Sequence, residues 1–200
     1  MDDLDLAKLS QAAYAGRPTW THGDCFAYGT TVNDTTTVVA FRGTDPDAIK
    51  DWTHDFDAAP EDDAQLGWCH KGFLDDVRGV APQIMAALKG KPAIIVTGHS
   101  KGGAEALIFG GVLVAAGKPP LQISTFGAPR CAVFSSPTLA GLLARVAGTD
   151  YRHRDDPVPL VPIGFDHPRT ILQLVPPTFA LGVIADHYIA NYIAALTPSS

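Results

Sequence analysis

The residues with the clearest chemical meaning are Gly98-His99-Ser100-Lys101-Gly102, followed by Gly103. A serine hydroxyl becomes a usable nucleophile when its backbone sits in a tight turn between a strand and a helix. The turn lifts Oγ clear of the chain and aims the free N–H groups of the helix end at the reacting oxygen. Gly98 and Gly102 leave the room such a turn needs. The context agrees. Ala93 to Thr97 is a continuous apolar run of the kind buried on both faces of a parallel sheet, and Ala104 to Ala116 is apolar and helix-compatible. The same short pattern also arises as an ordinary glycine–serine loop capping a helix, so the reading depends on partners further along. Such a serine needs an orienting carboxylate and a histidine base, in that chain order.

Seven histidines are available: His22, His54, His70, His99, His153, His167 and His187. Only the last three follow Ser100. His187 is the best placed, in Asp186-His187-Tyr188 at the mouth of the last expected helix, where a ring can turn toward the C-terminal edge of a sheet. His153 lies within an expected strand among charged neighbours, and His167 precedes Pro168 in a turn. The acid is assigned to Asp156, in Asp155-Asp156-Pro157-Val158-Pro159, because two prolines stiffen the backbone after the carboxylate. Asp155 is its immediate rival and Asp166 the third candidate. Surface or capping roles are the alternative for the unused histidines and aspartates.

The elements that must position these groups follow from periodicity and turn signals. Asp2 to Ala15 reads as a short helix stopped by Gly16, with Leu6, Leu9 and Ala13 on one face. Cys25 to Val32 and Thr36 to Phe41 read as strands joined by Asn33-Asp34. His70 to Leu88 reads as a helix with a kink expected at Pro82. Leu121 to Phe126, Asp150 to Arg154 and Thr170 to Val175 read as extended, and Leu139 to Ala147 as helical. Asp186 is expected to cap a last helix lined by Ile189, Ile193 and Leu196. Strands alternating with helices predict one α/β domain over residues 1–200, a mostly parallel sheet with helices on both faces.

Composition bounds the function. Of 200 residues, 46% are apolar and 18% charged, the balance of a globular protein with a real core. The net charge of -6 gives no attraction to nucleic acid or anionic membranes. Nothing approaches the ~20 apolar residues of a membrane-spanning helix. Asp2, Asp3 and Asp5 occupy the place where a secretory signal would carry basic residues, so a cytoplasmic location is expected, with a signal-independent release route as the alternative. Cys25, Cys69 and Cys131 form an odd, sparse set without metal-ligand spacing, which reads as the thiols of a reducing compartment, with one disulfide as the alternative, and no metal or cofactor.

With these pieces placed, the chain resembles the class 3 lipases, a fungal-lipase-like branch of the α/β-hydrolases, from about Val38 to Tyr188. The segments that carry the resemblance are Val39 to Thr44 (an oxyanion strand), Asp51 to Phe56 (a lid), His70-Lys71-Gly72-Phe73, the Gly98 to Gly103 elbow, Phe126 to Arg130, Asp156 to Pro159, and Asp186-His187-Tyr188. The resemblance implies hydrolysis of carboxylic esters, with Ser100 as nucleophile, His187 as base and Asp156 as orienting acid. It implies that Thr44 and the backbone N–H of Lys101 stabilise the oxyanion. It also implies a small-molecule or lipid ester as partner, with at most transient contact with a lipid interface. Phospholipase A1, acyltransferase and thioesterase chemistry share the elbow, and a non-catalytic binding domain on the same scaffold is the remote alternative.

Some departures modify that expectation. The family usually carries leucine where this chain has Lys101, whose ammonium either raises the local potential or, as the preferred reading, extends to solvent. The segment Asp45 to Asp63 carries eight acidic residues around a narrow stripe of Ile49, Trp52 and Phe56. As a lid it implies weak interfacial activation and soluble or short-chain esters, although Trp52 and Phe56 read equally as core anchors. His70 is read as a structural residue.

Overall fold

A computed structural model describes residues 1–33, 35–45, 59–178 and 184–198. Helix α1 (Asp3–Ala15) opens on Asp2, whose carboxylate accepts the Asp5 N–H at 2.8 Å. Strands β1 (Trp20–His22), β2 (Cys25–Asn33) and β3 (Thr36–Phe41) then run as an antiparallel meander. Two short strands follow, β4 (Pro60–Asp63) and β5 (Gly67–His70), and then α2 (Lys71–Ala87), which carries Pro82 within it. The middle of the chain alternates strand and helix: β6 (Ala93–His99), α3 (Lys101–Ala115), β7 (Gln122–Phe126), β8 (Ala132–Val133), α4 (Thr138–Leu143) and β9 (Asp150–His153). Strands β10 (Phe165–Asp166) and β11 (Ile171–Val175) and helix α5 (Ile189–Leu196) close it.

The main sheet has the order β1-β2-β3-β6-β7-β9-β11, parallel from β3 onward. Its central strands are apolar nearly throughout because both faces are covered. Val38 and Ile95 pack with Leu6, Phe126, Tyr151 and Tyr192 on one face. Val39, Phe41, Ile94 and Val96 pack with Phe73, Leu74, Val77 and Leu107 on the other. Thus α1 and α5 cover one side, and α2 and α3 the other.

Parallel pairing places the C-terminal ends of β3, β6, β7 and β9 on one edge, where the connecting loops converge. Phe41 pairs with Gly98 and His99 with Phe126. That register delivers Gly43, Ser100 and Gly127 to the same edge, just past the strand ends.

Several boundaries differ from expectation for identifiable reasons. Helix α3 starts at Lys101, because Gly102 and Gly103 enter the helix to fit its close packing. Helix α4 ends at Leu143, because Ala147 is already bridged to Gln122 alongside the sheet. Asp186 does not cap the last helix. It sits in a 3-10 turn over Ile184–His187, and its carboxylate accepts the Asp155 N–H at 3.2 Å, while Tyr188 precedes α5.

A second, antiparallel sheet, β10-β8-β5-β4, was not foreseen. Its strands of two to four residues carry no readable period, and β4 is Pro-Glu-Asp-Asp. Long-range ion pairs hold β4 instead: Arg78 of α2 binds Glu61 and Asp63, and Lys71 binds Glu61 at 3.0 Å. The C-terminal end of the expected lid is therefore a fixed strand. Trp52 and Phe56 lie outside the described residues.

The tight strand–helix packing gives a direct test. A Cβ at Gly102 would lie 2.3 Å from the Phe41 carbonyl oxygen, whereas one at Gly141 meets nothing within 4 Å. Gly102→Ala is expected to cost about 3 kcal/mol of unfolding free energy by overpacking. Gly141→Ala, in a helix, should add about 0.5–1 kcal/mol. Urea unfolding midpoints of the two variants check both signs.

Candidate active site

Ser100 stands between β6 and α3 with φ 59° and ψ −134°, a left-handed conformation that L residues rarely adopt. The backbone around it holds that turn. Its N–H donates to the Phe126 carbonyl at 2.9 Å, and its carbonyl accepts the Gly103 N–H at 2.8 Å. Side chains at the flanking glycines are excluded. A Cβ at Gly98 would sit 2.1 Å from the Gly102 oxygen, and one at Gly103 would sit 2.7 Å from the Ala128 Cβ.

His187 and Asp156 meet although 31 residues separate them. The His187 ring Nδ1 lies 2.8 Å from Asp156 Oδ2, and neither side chain has solvent exposure. A carboxylate only accepts, so Nδ1 carries the hydrogen and Nε2 keeps its lone pair. Asp156 Oδ1 accepts the Val158 N–H at 2.9 Å, which the rigid Pro157 places. Asp156 Oδ2 also accepts the Tyr192 hydroxyl at 2.5 Å. Burial and the adjoining Asp156 charge hold the Tyr192 phenol well above its usual range, so it remains a donor. Gly127, at φ 62°, lies flat against the pair: a Cβ there would be 2.8 Å from Asp156 Oδ2 and 2.9 Å from the His187 ring. Both Ser100 Oγ and His187 Nε2 are buried without a hydrogen-bond partner among the described residues.

The rivals are engaged elsewhere. Asp155 Oδ2 accepts the Thr178 N–H at 2.8 Å and the Thr178 hydroxyl. Asp166 accepts the His167 N–H, and His167 Nε2 donates to the Pro159 carbonyl at 2.8 Å. His153 faces Asp186 at 3.7 Å. His70 packs in the core, its ring 4.3 Å from that of Phe73 and 5.3 Å from that of Phe165. Thr44 follows Gly43, whose Cβ position is 2.9 Å from Ser100 Cβ, so the chain leaving β3 passes directly beside the serine. Lys101 is the first residue of α3, and its N–H belongs to the donors that a helix end leaves free. Its side chain does not extend to solvent. Only 13% is exposed, and Nζ pairs with Asp76 at 2.8 Å. Cys25, Cys69 and Cys131 are free, buried thiols.

One group was missed as a site residue. His99 Nε2 donates to the His187 carbonyl at 2.7 Å, and the Tyr14 hydroxyl lies 2.6 Å from Nδ1. The carbonyl fixes hydrogen on Nε2, so Nδ1 accepts from Tyr14. Burial, and then the neighbouring His187, push the His99 ring down to about 3, which keeps it neutral. His99 thereby fixes the backbone of His187 from the residue next to the serine. Its place inside the elbow was the available signal. Tyr14 and Tyr192 gave none, since neither sits in a motif.

Residues 38–165 match the class 3 lipase family. The chain belongs to the class 3 lipases. A secreted mono- and diacylglycerol lipase of Fusarium solani is 33% identical over 143 residues, covering 65% of this chain and 41% of that protein. The chain thus spans about two fifths of that relative's length. Among solved structures, Rhizomucor miehei triacylglyceride lipase has a TM-score of 0.71 at 23% identity, covering 86% of this chain and 78% of that one. Lipase II of Rhizopus niveus has a TM-score of 0.60 at 30% identity, covering 72% and 59%. The fold is that of the α/β-hydrolases, with a mostly parallel central sheet.

The comparison corrects one expectation. The cytoplasmic location inferred from the acidic N-terminal residues is overturned by the Fusarium solani relative, which is a secreted lipase. Among the described residues, no group of three or more His, Cys, Asp or Glu could hold a metal ion.

The neutral, buried His99 makes stability pH-dependent. In the unfolded chain a histidine takes up its proton near pH 6.5, whereas in the fold it does so only near 3. The unfolded state binds more protons between these values, so stability is fully present above pH 6.5 and declines as pH falls toward 3. Urea midpoints across that window are expected to fall less steeply for His99→Gln than for the wild type.

Proposed function

We propose that the chain is a carboxylic ester hydrolase working through Ser100, Asp156 and His187. The observation that carries this reading is the buried 2.8 Å pair between His187 Nδ1 and Asp156 Oδ2, beside a serine held in a strained strand–helix turn. The pair orients the imidazole so that Nε2 is a base. Among the described residues Ser100 Oγ and His187 Nε2 are both buried and neither has a hydrogen-bond partner, so both are free to exchange a proton once substrate brings them together. Catalytic contacts of this kind commonly tighten only when substrate is bound.

The steps follow from those roles. Ser100 Oγ attacks the ester carbonyl while His187 Nε2 takes its proton. The oxyanion that forms meets the backbone N–H of Lys101 and the N–H and hydroxyl of Thr44. Imidazolium His187, held by Asp156, then protonates the leaving alcohol. Water repeats the cycle on the acyl-serine and releases the acid. The Fusarium solani relative acts on mono- and diacylglycerols, which supports acyl esters of glycerol, or shorter acyl esters, as the substrate class.

The test is hydrolysis of a p-nitrophenyl ester series from acetate to palmitate, with Ser100→Ala alongside. Turnover by the wild type and under about 1% of it in the variant is expected, since loss of the nucleophile costs several powers of ten. Serine-independent turnover overturns the assignment. An inert wild type on these esters directs the assay to phospholipids and acyl acceptors. Asp156→Asn is expected to reduce kcat far more than Asp155→Asn, because only Asp156 touches His187. The opposite ranking in steady-state assays moves the acid by one residue.

A further inference from the structure

The residue after the nucleophile carries a side chain that this reaction leaves unused. The Lys101 backbone N–H is one of the donors left free at the N-terminus of α3, but its side chain runs toward α2 and the turn before β2. Nζ lies 2.8 Å from Asp76 Oδ2 on α2, donates to the Asp24 carbonyl before β2 at 3.1 Å, and stands 3.4 Å from Glu105 Oε1, one turn further along α3. The ammonium is thus tied to α2 through Asp76 and to the turn before β2 through Asp24, with Glu105 of its own helix nearby. A cation in the first turn of a helix opposes the macrodipole, and α3 has no acidic residue there. Asp76 supplies the offsetting charge from the neighbouring helix.

Burial acts on the other two titratable groups of the cluster. Glu105 has no solvent exposure. Burial pushes its carboxyl well above the usual range, Asp76 adds to the rise, and Lys101 opposes it. Cys25 of β2, also buried and beside Glu105, is pushed up as well and stays a thiol. Lys101 and Asp76 thus form the close ion pair of the cluster, while burial shifts Glu105 and Cys25 toward their neutral forms.

We propose that Lys101 is a positioning residue: its ion pair with Asp76 and its bond to the Asp24 carbonyl fix the peptide joining Ser100 to Lys101, and with it the N–H that meets the oxyanion. This rests on the reading of that N–H as an oxyanion donor. Donor and anchor belong to one residue, so the held ammonium resists rotation of that peptide. The floor of that site is polar, built from two carboxyl groups and a carbonyl, and an apolar side chain would find no anchor there. Such rigidity matters because a misplacement of about 1 Å can cost about a hundredfold in rate.

The experiment is steady-state kinetics on a soluble p-nitrophenyl ester for the wild type, Lys101→Met, Asp76→Asn, Lys101→Arg and the Lys101→Met/Asp76→Asn double variant, each with a melting temperature. Lys101→Met and Asp76→Asn are expected to lower kcat by about ten- to a hundredfold while KM changes by less than about threefold. Lys101→Arg should recover most of the loss. Should Lys101→Met not fold, Asp76→Asn still tests the same ion pair. The double variant removes both charges, so no unpaired charge is left buried and stability should recover, but kcat should stay low because the anchor is gone. Wild-type kcat in Lys101→Met, or recovery of kcat along with stability in the double variant, overturns the proposal. Wild-type protein without Ser100-dependent turnover overturns the ester-hydrolase reading as well.

Discussion

The contact on which the site depends is between backbones, not side chains. Helix α3 approaches β3 and β6 so closely that a single added carbon at Gly98 or Gly102 would lie 2.1–2.3 Å from a carbonyl oxygen. That approach brings the helix N-terminus to the sheet edge and forces Ser100 into a left-handed conformation. Strain of this kind costs on the order of 1–3 kcal/mol and persists only where surrounding structure over-determines it. Here the over-determination is visible: Ser100 is bonded at both its N–H and its carbonyl, and the parallel β3–β6–β7 register fixes its neighbours. Free helix-end N–H groups, a serine standing at the sheet edge and a converging set of loops all follow from the same close packing.

The proposed base and acid, His187 and Asp156, are held by a different principle. Nothing covalent or local ties His187 to Ser100, so their relation is set by buried polar groups that must find partners. Asp156 satisfies three donors at once: the Val158 N–H, His187 Nδ1 and the Tyr192 hydroxyl. His99 satisfies the His187 carbonyl on one side and Tyr14 on the other. Each bond contributes modestly, but removing any one strands a buried polar atom, and that penalty keeps the network in one arrangement. The Lys101–Asp76 pair applies the same rule between α2 and α3.

How much of this was legible in the sequence follows from the range of each interaction. The elbow, the buried strands and the proline-stiffened acid loop are local signals, and β3, β6, α3 and β7 lie where periodicity placed them within a few residues. The second sheet was invisible because β8 and β10 are two residues long and β4 is acidic. Asp186 was misread as a helix cap because the Asp155 N–H that occupies it lies 31 residues away. Lys101 was misread as solvent-directed because Asp76 and Glu105 were unremarkable as single letters. Only the fold makes them a cluster.

The same reasoning explains why the matched family segment is not the whole site. Residues 38–165 include Thr44, Ser100 and Asp156, but His187 and Tyr192 follow that segment and Tyr14 precedes it. Helix α1 is bound into the sheet by side chains: Asp3 accepts from the Ser124 and Tyr151 hydroxyls, and Ser10 bonds Thr97. Helix α5 packs on the same face through Tyr192. The two ends of the chain thus form one layer behind β6, and from it Tyr14 reaches His99 while Tyr192 reaches Asp156. Ser100 and Asp156 are placed by the sheet and its loops. The orientation of His187 depends on that terminal layer, so a fragment limited to the matched segment would keep the elbow and lose the imidazole proposed to act with it.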